Sequence, residues 1–239
     1  MSTNREFPKI YFEFEGRKVF NGQKRKYWIQ DATEDMLQEV EDLVVNYFFA
    51  SSPTMKYLKV LEDPVTLAEF RLVWRKVLQE KLTLVCLTKV DQNNTKLAGF
   101  NVLSESIANV KSDYNFQGAS AQKLFKILTW IESQGNFHKE FKFDRVMKGM
   151  GLYVLEDYRG EALGERILEA REHICRHVGI HATLTGFTSV ISQKLAARVG
   201  FQDFYAIDYE ELGRIDPAMH IPDIQNHSKV YKSMYKIYN

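Results

Sequence analysis

Residues 158–164 read YRGEALG, between GMGLYVLED (149–157) and ERILEAREHICRHVG (165–179). An apolar run breaks at a short turn holding Gly160 and Gly164. A helical pattern follows, with Leu163, Ile167, Ala170, Ile174 and Val178 on one stripe. A glycine-containing turn at the head of a helix aims several backbone N–H groups at one spot, where the helix dipole also favours negative charge. The stretch therefore reads as an anion site.

Composition narrows the setting. The chain has 239 residues, 45% of them apolar and 26% charged, an ordinary globular balance that suits one domain. Thirty-two Lys+Arg against 31 Asp+Glu leave a net charge of +1, which argues against a nucleic-acid binder. The basic run GRKVFNGQKRK (16–26) reads as a solvated surface hairpin. No stretch reaches the ~20 consecutive apolar residues of a membrane span, and MSTNREFPKI offers no apolar signal core. Cys86 and Cys175, both in apolar patterns, fit a reducing compartment, so a cytoplasmic protein is expected.

Outward from the turn, the pattern gives one α/β (α+β) domain over 28–239 after a lead-in with an edge hairpin (1–27). Thr33 is the expected cap of a first helix carrying Val40, Val44 and Phe48. Asp63-Pro64 opens a second helix. Segments 82–90 and 96–107 form a hairpin through DQNNT, 118–134 a helix and 146–155 a strand. After the helix at 163, strand 180–187 leads to a helix that Gly200-Phe201 ends as a left-handed cap. Segments 201–209 and 227–239 close the chain. The expected architecture is a mixed, mostly antiparallel sheet with helices on both faces.

This order and the turn resemble the GNAT superfamily of N-acetyltransferases, whose pattern Arg/Gln-x-x-Gly-x-Gly/Ala falls on Arg159, Gly160, Glu161, Ala162, Leu163 and Gly164. The resemblance implies that these residues hold the pyrophosphate of acetyl-CoA as co-substrate, with Arg159 stapling the turn or meeting phosphate. It further implies that the backbone of Leu152, Tyr153 and Val154 orients the pantetheine and polarises the thioester carbonyl. Ala162 stands where the pattern has its first glycine, so the backbone there is expected at negative φ with room for a methyl group.

GLYVLEDYRGEALGERI, FTSVISQKLAARVGF and NHSKVYKSM are most similar to the insect arylalkylamine N-acetyltransferases. That likeness implies a small primary amine as substrate and no metal. It places a pair of hydroxyls at Thr188 and Ser192 as catalytic residues, with Ser189 and Ser192 on the cofactor side. Ala196 stands where many superfamily members carry a tyrosine acid, which leaves Ser192 as the acid. The alternative reading of Ser192 is a helix-start serine bonding its own backbone. Ser52 occupies the position of the family's glutamate base. Glu39, Asp42, Glu62, Asp63, His181 and His227 are the other proton acceptors the sequence offers near the site, each also readable as structural. A peptide or lysine acetyltransferase and a non-catalytic acyl-CoA-binding protein are the rival readings. Oligomeric state is left open.

Overall fold

Burial alternates along KYWIQD, with Tyr27, Ile29 and Asp31 inward, and this draws Gln23–Asp31 into a strand, β2. It pairs antiparallel with Ile10–Phe20, β1. The basic residues Arg17, Lys18, Lys24, Arg25 and Lys26 thus lie in the hairpin at the edge of the sheet, and β2 continues through residue 28. These coordinates are a computed structural model that describes residues 5–20, 22–91, 94–110 and 114–238.

The first expected helix is interrupted. Thr33 precedes it without making a side-chain cap bond. Leu37–Leu43 (α1) widens into a π-helical turn at Val44–Phe48, and Phe49–Ser51 (α2) stops before Pro53. Proline cannot extend a helix from within but starts one well, so Pro53–Tyr57 (α3) begins afresh behind Ser52. Pro64–Leu78 (α4) opens as the sequence indicates, with the Asp63 carboxylate accepting the Thr66 N–H at 3.1 Å.

Leu84–Lys89 (β3) and Thr95–Ile107 (β4) pair antiparallel. Of the turn between them, Gln92 and Asn93 lie outside the described residues. Ala119–Ser133 (α5) and the short Phe137–Phe141 (α6) lead to Arg145–Val154 (β5). Leu163–His177 (α7), Ala182–Phe187 (β6) and Val190–Arg198 (α8) follow. Gly200 ends α8 at φ 89°, and buried Phe201 folds back on it. Gln202–Asp208 (β7), Tyr209–Ile215 (α9) and Val230–Ile237 (β8) complete the chain.

The eight strands among the described residues form one sheet in the order β1-β2-β3-β4-β5-β6-β8-β7, antiparallel throughout except between β5 and β6. One core, around Phe49, Trp74, Phe100 and Ile127, packs α1–α5 against the sheet. On the other face the apolar stripe of α7 packs over Ile29, Cys86 and Leu103. No helix among the described residues is long and apolar enough to cross a membrane.

Candidate active site

The site begins where two strands part. β5 and β6 pair in parallel only at Met147↔Thr183 and Lys148↔Leu184. Beyond that point β5 carries a bulge. Val102 and Leu103 of β4 face Gly151 and Gly149, which leaves Met150 as the extra residue. A bulge bends its strand and leaves the extra residue outside the ladder, so β5 swings away from β6. Gly151 lets the strand pass close to the π-helical turn, since a Cβ would stand 3.1 Å from the Phe48 ring. The parted strands and the α2–α3 segment enclose a cavity of about 540 Å³, a volume suited to a small ligand.

The anion turn lies past the end of β5. Arg159 staples it: Nη2 donates to the Tyr153 hydroxyl at 3.2 Å and Nε to the Val154 carbonyl at 3.3 Å. Gly160 has φ 82°. Ala162 has φ 64° and ψ 13°, which corrects the expectation of negative φ. An alanine there holds a conformation that disfavours a Cβ by about 1–2 kcal/mol, and strain of this kind persists where neighbours fix the backbone. Gly164 is explained by packing as well as by the turn, since a Cβ would lie 3.0 Å from Leu195 of α8.

Two features of the turn lay beyond the sequence reading. Glu161 is buried; its Oε2 accepts the Lys18 backbone N–H at 2.8 Å beneath Gly16 of β1. Lys18 then lays its exposed ammonium across the turn, donating to the Arg159 carbonyl at 2.6 Å. The head of α7 carries no side-chain cap, so its first N–H groups have no intrahelical acceptor. An uncapped helix start, a left-handed turn and an added ammonium form a donor set that fits a diphosphate.

At the cavity, the structure brings together Leu152, Thr188, Ser189, Ser192 and Ser52. Tyr153, Val154 and residues 159–164 are not among its walls; β5 connects the two regions. Ser189 caps α8, accepting the Ser192 N–H at 3.1 Å, and the Ser192 hydroxyl donates to the Ser189 carbonyl at 2.9 Å. Ser192 therefore both faces the cavity and bonds its own backbone. Tyr231 of β8 also lines the cavity, close over Gly186. Burial pushes its phenol up to about 12, which keeps it protonated.

The proton acceptors singled out in the sequence do not line the cavity. Glu39, Asp42, Glu62, His181 and His227 are not among the cavity's walls; His227 packs against Tyr57 instead. Asp63 is held by the Ser120 N–H, the Thr66 hydroxyl and the Thr66 N–H, which bring its carboxyl down to about 2. Three carboxylates at the cavity were not singled out in the sequence. Glu105 is paired with Arg145 and Glu132 with Lys148. Glu80, at the exposed rim, accepts the Glu105 N–H at 3.4 Å, and desolvation raises its carboxyl.

Residues 126–201 match the Acetyltransferase (GNAT) family. The chain has the GNAT fold. It is similar over its whole length to the structure of a candidate arylalkylamine N-acetyltransferase 7 from the yellow fever mosquito Aedes aegypti. The TM-score is 0.91 at 27% identity, covering 100% of this chain and 98% of that one. Arylalkylamine N-acetyltransferase 2 from Aedes aegypti superposes with a TM-score of 0.76 at 19% identity, covering 89% and 99%. A mosquito arylalkylamine N-acetyltransferase-like 5b gives 0.70 at 17%, covering 88% and 99%. At those last two identities the likeness is one of fold. No curated protein sequence matches the chain significantly.

Proposed function

We propose that this protein acetylates a small primary amine of arylalkylamine type, by direct attack with both substrates bound. The observation that carries the reading is the cavity at the parting of β5 and β6. It is roofed by α2–α3 and walled by Phe48, Phe70, Trp74, Phe116 and Phe125. An aromatic-lined cavity of this size suits a compact ring-bearing amine. The buried thiols Cys86 and Cys175 agree with a cytoplasmic setting.

Acetyl-CoA supplies the acetyl group as a thioester. The turn amides of 160–164 and the Lys18 ammonium would hold its diphosphate, and the Leu152–Val154 backbone would align its pantetheine. Fixing donor and amine in one cavity replaces an encounter by a near-unimolecular step. Ser192, which lines the cavity with Thr188 and Ser189, is the hydroxyl assigned to meet the departing sulfur.

Ser52 cannot accept a proton near neutral pH. A primary ammonium with a pKa near 10 leaves about 0.1% free amine at pH 7, and the enzyme captures that fraction. The same serine favours a second reading, an acyl-CoA-binding protein without turnover. Incubation with acetyl-CoA and a panel of amines, followed by mass spectrometry, separates the two. The N-acetylated amine is the expected product; acetyl-CoA bound but unchanged with every amine would favour the second reading.

A further inference from the structure

Arg171, on α7, is fully buried and reaches the wall of the cavity. Its Nε donates to Asn101 Oδ1 at 2.8 Å, and its Nη1 donates to Thr185 Oγ1 at 2.7 Å and Thr183 Oγ1 at 3.2 Å. All three partners are neutral, and each grips the β5 backbone around the bulge. Asn101 Nδ2 donates to the Gly151 carbonyl at 2.7 Å, and Thr183 donates to the Met147 carbonyl at 2.8 Å. Thr185 accepts the Gly149 N–H at 3.1 Å, just past the last pair of the β5–β6 ladder. A Cβ on Gly149 would stand 2.6 Å from Arg171 Nη2, so the guanidinium lies directly beneath the bulged strand.

The ionisable groups that face Arg171 are the Tyr238 phenol and the Cys175 thiol. Burial raises both, the thiol to about 12, and keeps them uncharged. Burial also lowers the Arg171 guanidinium, but an arginine remains protonated in proteins. No carboxylate pairs with it among the described residues. Removing a charge from water without a counter-charge is among the most unfavourable arrangements in a fold. Here it sits beneath the bulged strand, at the wall of the cavity.

We propose that Arg171 is a positioning residue for acetyl transfer: it fixes both flanks of the β5 bulge and supplies the positive potential that favours charge on the thioester oxygen and the departing sulfur. This rests on the acetyltransferase reading above. In the step, the amine nitrogen lone pair forms the new C–N bond while the carbonyl π electrons move onto oxygen. The oxygen pair then re-forms the carbonyl as the C–S bond breaks, its electron pair leaves on sulfur, and the amine's surplus proton passes to solvent or to the thiolate. The counter-charge to Arg171 is therefore transient, which accounts for the missing anion in the resting fold.

CoA itself is the probe, because its thiol reports the potential at that place without turnover. The pKa of the bound CoA thiol, read from thiolate absorbance across pH, is expected at least one unit below that of free CoA. Arg171→Met should return it toward the free value, lower kcat about 100-fold and leave CoA affinity within about threefold. Arg171→Lys, which keeps the charge, should retain most of the thiol shift. An unshifted thiol in the wild type would overturn the proposal, as would an unchanged one in folded Arg171→Met or a lost shift in folded Arg171→Lys. These outcomes stand apart from failure of the acetyltransferase reading, which would show as no CoA binding or no amine-dependent turnover.

Discussion

The backbone N–H of Lys18 and the buried carboxylate of Glu161 meet at 2.8 Å, tying the edge strand β1 to the turn at the head of α7. The ammonium of the same lysine lies on the Arg159 carbonyl. Lys18→Ala should leave that backbone bond in place and remove only the cation. We expect acetyl-CoA to bind about three- to tenfold more weakly, with the difference fading at high salt as exposed charges are screened. Calorimetry at two ionic strengths checks this, and equal affinities at low salt would take Lys18 out of the phosphate site.

Ala162 at φ 64° predicts a stabilising substitution. Ala162→Gly removes the Cβ strain at some expense in unfolded-chain entropy. The net gain should be about 0.5–1 kcal/mol, seen as a rise of about 1–4 °C in Tm. Acetyl-CoA affinity should hold or tighten. A lower Tm would mean that the alanine methyl makes a packing contact outweighing the strain.

The long helices α4, α5, α7 and α8 and the final left-handed cap were legible because their signals are local, whereas the short α6 and α9 were not read from the sequence. Asp63-Pro64 and Gly200-Phe201 each carry the chemistry of a helix end within a few residues. What escaped depends on pairing across the chain. The basic run at 16–26 looks like any solvated hairpin until β1 brings Lys18 over a turn more than 140 residues away. Gly149 and Gly151, flanking Met150, were the visible trace of the bulge. Arg171 also left a signal, since it falls between Ile167 and Cys175 on the apolar face of α7, where a solvated arginine does not belong. The π-helical turn at Val44–Phe48 continues the 3.6-residue apolar pattern, so its widening leaves no mark in the sequence.

Asp63 offers a test by pH. Its carboxyl falls from 3.8 to about 2 through bonds from Ser120 and Thr66. A group depressed on folding stabilises fully above its unfolded pKa and loses that contribution as pH falls through the folded value. Asp63→Ala should lower stability by about 1–2 kcal/mol at pH 7, with the gap to wild type closing between pH 4 and 2. Denaturant titrations at pH 7 and pH 3 measure it. A gap unchanged at the lower pH would mean that packing, not the carboxylate, sets the effect.

Ser52 at the cavity predicts how rate follows pH. With capture of free amine, kcat/KM should climb about tenfold per pH unit up to the substrate's own pKa, and the break should move with the amine. Ser52→Glu should raise activity near pH 7. A common break near pH 6–7 with several amines would instead indicate an enzyme group. Glu80, whose carboxyl is raised at the rim, is then the residue to replace by Gln.

The central claim is that an amine attacks acetyl-CoA in the cleft between β5 and β6. Thiol release from acetyl-CoA, followed at varied concentrations of both substrates, tests it most directly. The account predicts release that requires amine, with intersecting double-reciprocal lines as a ternary complex demands. An amine-independent burst of thiol with parallel lines, or no release with any amine despite tight acetyl-CoA binding, would contradict it.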